Sequence, residues 1–180
     1  MKREMVGDVP GNVLGMFSDL AHKLQHGSLT PEELSLFLQR KNPFSEPIFQ
    51  RMLEACKFDS VNDNITHTQE NFPILEEPDE DTEYVLVHLN RRVSTEEAEA
   101  EIKEQGFVSG TLADLLLYVR KNPDKQKEFP IIALGSRWQH SGGNWYSPYA
   151  HYWDGRRHLY LHWREGDWGG HCRFLARKPR

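Results

Sequence analysis

The sequence predicts an α+β fold in which helices are grouped on a small sheet. Three observations lead there. A β-forming run, Tyr84–Leu89, precedes two capped helical patterns. A cluster of short strand patterns separated by turn signals follows from Ile131 onward. Ahead of both lie short helical patterns and an acidic stretch.

Taken in order, residues 1–10 carry no periodic signal. From Asn12, the positions Val13, Leu14, Phe17, Leu20, Ala21 and Leu24 recur at helical spacing, and Gly27 suits the residue after a helix end. Thr30-Pro31-Glu32-Glu33 opens a second helix, with Thr30 as N-cap, Pro31 at the first turn and Glu33 closing a capping box. Leu34, Phe37 and Leu38 form its apolar stripe, and Asn42-Pro43 stops it. A third helix opens at Pro47, with Ile48, Met52 and Cys56 on one side. Residues 1–58 therefore read as a small helical segment, too short to build a large core. Residues 59–82 turn acidic and contain Pro73 and Pro78, which reads as a linker or strap.

Residues 83–180 carry the main domain. Tyr84–Leu89 is rich in β formers. Ser94-Thr95-Glu96-Glu97 is a capping box for a helix that buries Ala98 and Ile102 and stops at Gly106. Thr111 caps another helix through Leu112, Leu115, Leu116 and Val119. Ile131–Leu134 is a short apolar strand, and Gly142-Gly143 marks a tight turn. Asp154-Gly155 lies between two strand patterns and signals a hairpin. Cys172–Ala176 forms the closing strand. Strand, helix, helix and then antiparallel short strands is the predicted order.

Composition narrows the function. The chain has 180 residues, a net charge of −5 and 27% charged residues. That balance argues against nonspecific nucleic-acid binding, and no nucleic-acid partner is expected. No apolar run reaches the roughly 20 residues of a membrane span. The first residues lack the apolar core of a signal peptide, so cytoplasmic synthesis is the default expectation, with display on a virion or cell surface left open. Cys56 and Cys172 lie far apart and are read as buried, reduced thiols.

Residues 131–178 concentrate the unusual chemistry. All five tryptophans and five of the nine histidines lie there, and no lysine occurs between Lys127 and Lys178. Trp, Tyr and Arg without Lys suit the centre of a binding surface. His158–Arg164 alternates strictly, which is the mark of a half-buried strand. Leu159, Leu161 and Trp163 are expected on the core side, with His158, Tyr160, His162 and Arg164 on the other. A wet sheet face that merely tolerates these rings is the plainer reading.

Catalytic and metal signatures are weak. His158 and His162 would share a metal if helical, but on a strand four residues span about 13 Å. Cys172 lies between His171 and Arg173, yet it opens an apolar strand, which favours a core thiol. Ser136 follows a glycine without the nucleophile-elbow pattern, and Gly142-Gly143 lacks the length of a phosphate loop. No clustered carboxylates and amides stand ready for Ca²⁺, so calcium-free binding without a cofactor is expected. Arg156-Arg157 with nearby aromatics suits base stacking, and Trp and Tyr suit carbohydrates or peptides equally.

The frame Ala133-Leu134-Gly135-Ser136-x-Trp138, Leu159-x-Leu161-x-Trp163, Asp167-Trp168 and Cys172–Ala176 resembles the C-terminal region of variable proteins of diversity-generating retroelements. Gly106-Phe107 and the helix Thr111–Leu116 are similar to the segment that precedes that region. These proteins occur in phages, archaeal viruses and small-genome bacteria and archaea. The likeness covers about residues 84–178 and implies a C-type-lectin-like domain of short antiparallel strands with two helices. It further implies that a reverse transcriptase rewrites chosen codons at template adenines, so that Asn codons become Tyr, His, Asp, Ser, Gly or Arg. By this resemblance the hypervariable region is about residues 131–178. Its ligand-binding residues are Arg137, His140, Asn144, Tyr146, His151, Tyr152, Asp154, His158, Tyr160, His162, Arg164, Asp167 and His171. Trp138, Trp153, Trp163, Trp168 and Phe174 are the implied scaffold. Gln139, Trp145 and Glu165 depart from the codon scheme. The catalytic cysteine pair of the related formylglycine-generating enzymes has no counterpart, because Cys56 falls outside the likeness.

The expected function is therefore ligand binding, not catalysis, with a protein or surface glycan as partner. The alternative is an enzyme with a His-lined pocket, with or without a metal, on a related fold. A third option makes the N-terminal helices an oligomerisation module. Oligomeric state is not legible in the sequence.

Overall fold

The computed structural model of the chain describes residues 11–38, 48–66, 71–74 and 76–179. The chain divides into two compact units, Met1–Glu46 and Pro47–Arg180.

In the first unit, α1 spans Gly11–Gln25 and α2 spans Pro31–Leu38. Gly27 adopts φ +69°, and Ser28 N–H donates to Lys23 O at 2.9 Å, closing α1 as its sequence predicts. The Thr30 box forms in both directions, with Thr30 N–H donating to Glu33 Oε2 (2.7 Å) and Glu33 N–H to Thr30 Oγ1 (3.1 Å). The apolar stripes do not bury as expected: Phe17 is 64% exposed and Leu38 72%. Leu29 is the buried hydrophobic among this unit's described residues. The side chains of Val13, Leu14 and Phe37, and the Asn42-Pro43 stop, lie outside the described residues.

The second unit is an eight-stranded sheet with helices against it. Its elements are α3 (Ile48–Cys56), β1 (Ser60–Val61), α4 (Asp63–Thr66), β2 (Tyr84–Val87), α5 (Thr95–Glu104), β3 (Val108–Ser109), α6 (Leu112–Lys121) and α7 (Lys125–Glu128), followed by β4 (Ile131–Ile132), β5 (Trp138–Gln139), β6 (Trp145–Trp153), β7 (Arg156–Trp163) and β8 (Arg173–Arg177). The sheet runs β1-β7-β6-β4-β8-β2, with β3 also on β8 and β5 also on β6. This is a mixed α+β fold. The strands are not all antiparallel, because β1 on β7 and β4 on β8 are parallel pairs.

Each face of the sheet carries its own core. On one face, Leu112, Leu115, Leu116 and Val119 of α6 and Phe49, Met52 and Leu53 of α3 cover Ile131, Ala150, Leu159 and Leu175. On the other, Ala98 and Ile102 of α5 pack with Trp168 around Ile132, Phe174 and Ala176. Strand alternation divides the two: Ile131 and Ile132 are both buried but serve opposite faces, as do Leu175 and its neighbours.

The boundaries move relative to the sequence reading. The helix α3, expected in an N-terminal appendage, is part of the sheet-bearing unit, and Cys56 Sγ–H donates to Leu116 O at 3.1 Å. The strap likewise contributes a strand, with Ser60 opposite His158 and Val61 opposite Leu159, and it buries Ile65 and Phe72. Isolated apolar residues among acidic ones have no period, so they read as linker although each fills a core position.

Candidate functional site

The hairpin of β6 and β7 builds the site. Asp154 and Gly155 both adopt positive φ (+49° and +74°), the conformation required by a two-residue turn that matches strand twist. That turn fixes the register His151↔His158, Tyr149↔Tyr160 and Ser147↔His162. Residues directly opposite on antiparallel strands share a face, so these side chains form one surface.

On that surface the rings touch in sequence. His151 stacks on Tyr149 (4.8 Å between centroids, 18°) and on His158 (5.0 Å, 22°). Tyr160 stands edge-on to His151 at 5.6 Å and to His158 at 5.2 Å. Its hydroxyl lies 3.0 Å from Ser60 Oγ on β1. His162 tilts over the buried Trp168 at 4.6 Å and meets Tyr149 edge-on at 5.9 Å.

Hydrogen bonds settle two tautomers, since a carbonyl only accepts. His158 donates from Nε2 to Trp153 O (3.2 Å), and His162 donates from Nδ1 to Trp163 O (2.9 Å). The second nitrogen of each neutral ring is therefore an acceptor. His158 Nδ1 and His151 Nε2 are both buried without a hydrogen-bond partner. Burial, helped by the neighbouring His158, holds the His151 pKa below its ordinary 6.5.

A stability consequence follows for this histidine. Its folded-state pKa is depressed, so between 6.5 and that lower value the unfolded chain binds the extra proton. Stability should fall as pH drops through this window, then level off below the folded pKa. Thermal melts across the range from about pH 7.5 to 5 should show the loss, and His151→Phe should flatten it. An unchanged slope in that variant would remove His151 as the cause.

Beside the ring surface lies a cleft of about 440 Å³. Phe129 and Pro130 after α7 form one wall, Tyr149, His151 and Trp153 of β6 another, and Trp168, His171 and Cys172 close it, with His162 at its border. A separate hollow of about 500 Å³ lies between residues 71–74 and 76–78 and the start of α6, away from these rings. Asp114, on its lining, accepts from Tyr84 Oη–H, Thr111 N–H and Thr111 Oγ1–H, each at 2.8 Å.

The thirteen candidate residues do not form one patch. His151, His158, Tyr160 and His162 come together on the hairpin surface, and His171 lies across the cleft. Tyr146 pairs with Trp163 and Trp138, which places it on the opposite face of β6. His140 and Asn144 are exposed at the β5–β6 turn, and exposed Arg137, just before β5, lines the second hollow and lies over the Trp145 ring at 5.0 Å. Tyr152, turned away from the ring row by strand alternation, still lines the cleft and is approached by Lys127 Nζ at 5.9 Å. Asp154 occupies the hairpin turn, and exposed Asp167 pairs with Arg92 at 2.8 Å.

Arg164 belongs to the scaffold. Its side chain is 12% exposed, and its guanidinium donates to Leu134 O (3.0 Å), Ser147 Oγ (2.5 Å) and Glu99 Oε1 (2.5 Å). Arg164→Ala should cost about 2–3 kcal/mol, less than a fully buried pair because Glu99 remains half in water. Chemical denaturation would measure this, and a loss below about 0.5 kcal/mol would exclude the clamp.

Among the implied scaffold residues, Trp168 and Phe174 are buried at 1% each, and Trp138 is half-buried against the first core. Trp163 and Trp153 depart from expectation, at 46% and 71% exposed. Trp163 does share a face with Leu159 and Leu161, but the strand has run past the edge of the core by that point. Sequence reasoning overlooked Tyr149, Phe129 and Gln126. The period-two run Ser147, Tyr149, His151, Trp153 carries a signal for the first, whereas the other two reach the cleft from a short helix and loop.

The nucleophile and metal readings gain no support. Cys172 is 7% exposed, and burial pushes its thiol pKa up, opposite to what an attacking thiolate requires. Among the described residues, no three His, Cys, Asp or Glu side chains are gathered as metal ligands. No helix among them is long and apolar enough to cross a membrane. The chain matches no protein-family model, no curated protein and no solved structure.

Proposed function

We propose that this chain is a ligand-binding protein whose β6–β7 surface receives a protein or glycan partner, and that a retroelement diversifies that surface. The observation that carries the reading is the continuous row Tyr149, His151, His158, Tyr160 and His162, built on a rigid hairpin and bordered by a cleft. Rings locked by stacking lose little freedom when a partner binds, so few contacts supply much affinity. Four of the five are products open to a diversified Asn codon under the resemblance, as is Tyr149 by residue type. The residues behind them, Leu159, Trp168 and Phe174, are buried and would stay fixed.

A C-type-lectin-like domain is the finer fold reading. It is supported by the pairing of β2 with β8, which closes the segment's two ends side by side, and by the two capped helices that follow β2. Within this scheme, Arg164 leaves the ligand set and joins the fixed frame.

The test is to sequence the DNA downstream of the gene together with the same gene from sibling genomes. The expected result is a near-copy of the segment coding for residues 131–178, differing at adenines, beside a reverse-transcriptase gene. Codons 151, 158, 160 and 162 should vary while 159, 164, 168 and 174 do not. An invariant histidine row without any repeat would overturn diversification and favour a fixed ligand or a His-lined catalytic pocket.

A further inference from the structure

We propose that the outer edge of β2 docks a second copy of this chain, so that two copies pair β2 against β2 antiparallel and share one continuous sheet. This surface lies at the opposite end of the strand order from the β6–β7 ring row, and it stands independently of the ligand-binding reading.

β2 ends the strand order, with β8 on one side and no strand on the other. The direction of its free backbone groups follows from β8. Leu175 O accepts from Gly110 N–H at 2.8 Å, and Arg173 N–H donates to Pro130 O at 2.9 Å, so these residues of β8 turn toward β3 and β4. Phe174 and Ala176 turn the other way, toward their partners Val87 and Val85. Tyr84 and Leu86 therefore send both N–H and C=O outward. Among the described residues, neither makes a backbone hydrogen bond on that side.

This edge lacks the usual protections. Tyr84–Val87 holds no proline, no lysine and no bulge. Tyr84, Val85 and Leu86 are half-buried, whereas Leu175 and Ala176 on the next strand are 0% exposed. The sheet's other edge is guarded by its shortness, since β1 has two residues and leads through Asn62 into α4. An open row of donors and acceptors is a template for another strand.

A second copy suits so short an edge better than a loose peptide does. An extended peptide would gain few backbone bonds here and would lose its own conformational freedom. A folded copy brings the same strand already ordered, and a two-fold axis sets each donor against an acceptor. With Leu86 opposite its own counterpart, Tyr84 meets His88 of the other copy. Charge selects the direction. Exposed Asp79 and Asp81 precede β2, and exposed Arg91 and Arg92 follow it. Antiparallel pairing brings each acidic flank toward the other copy's basic flank, whereas parallel pairing sets like beside like. Arg91 and Arg92 are held within the chain only by exposed ion pairs, which leave them free to turn.

Sedimentation velocity of the full chain measures the association, and amide hydrogen exchange followed by NMR locates it. A dimer with Kd of about 10–100 µM is expected, as for a small transient interface. Exchange at the Tyr84 and Leu86 amides should slow about threefold or more between roughly 20 µM and 1 mM protein. Leu86→Pro removes an outward N–H that the chain itself does not use, so the dimer should weaken at least about tenfold while the fold persists. Should that variant not fold, the wild-type exchange profile decides alone. Asp81→Arg and Arg91→Glu should each weaken association by about threefold, and an equimolar mixture of the two should recover it. The proposal is overturned by a chain that stays monomeric throughout, or by a dimer that leaves both amides unchanged, which places the interface elsewhere. Amides that are slow at every concentration would show the edge covered by its own chain, and a folded Leu86→Pro chain that still associates would equally refute it. Charge variants that do not recover on mixing would overturn the antiparallel direction.

Discussion

Trp168→Ala is expected to cost about 3–5 kcal/mol and to lower the melting temperature by roughly 10–20 °C. The indole is 1% exposed, so its removal leaves a cavity beneath His162 and beside Phe174, whose ring it meets edge-on at 6.1 Å. Polar losses add to this. Trp168 Nε1–H donates to Thr95 Oγ1 at 2.9 Å, and that hydroxyl donates onward to Arg164 O at 2.7 Å. Backbone bonds between Val93 and Trp168 in both directions, at 3.2 and 2.8 Å, tie the loop before β8 to the start of α5. Trp163→Ala is the control. With 46% of that residue already in solvent, its loss should cost about half as much, roughly 2 kcal/mol. Urea denaturation of both variants separates the two roles, and equal losses would contradict the burial difference.

Asp114→Ala should be the second large loss, about 3 kcal/mol by the same measurement. Asp114 is 3% exposed and closes the α6 capping box, while Arg177 Nε approaches its Oδ2 at 3.5 Å. It thereby links α6 to β2 through Tyr84 and to β8 through Arg177, at the point where those strands pair. Removal takes away the acceptor of the Tyr84 hydroxyl, whose pKa is pushed up by its burial and next by the Asp114 contact. Asp114→Asn keeps an acceptor for the helix cap but loses the charge, so it should cost about half as much. An alanine variant within about 0.5 kcal/mol of wild type would show that α6 needs neither link.

The helices were legible because their starts are chemical. Ser94 with Glu97 and Thr111 with Asp114 form their boxes in both directions, and Gly106 adopts φ +80° at the close of α5. The Asp154-Gly155 hairpin was equally readable, because few residues tolerate positive φ at two successive positions. Tertiary placement was not. Alternation put Leu159, Leu161 and Trp163 on one face but could not say where the core beneath that face ends. Arg164 looked like a surface residue because nothing local reveals that Leu134 O, Ser147 and Glu99 converge on it. The cleft was invisible for the same reason: its walls come from four separate stretches. The two-residue strands β1, β3 and β5 are too short to show any period at all.

The place of β8 in the sheet governs when this unit can become stable during synthesis. It lies between β4 and β2 and also receives β3, so β2 and β3 stay unpaired beside the β1-β7-β6-β4 group until residue 177 has emerged from the ribosome. Before then, Phe174 and Leu175 are missing from both cores, and the edges of β2 and β4 stand unpaired. Translation arrested shortly before residue 173 should therefore yield a chain that is protease-sensitive and prone to associate through those open edges.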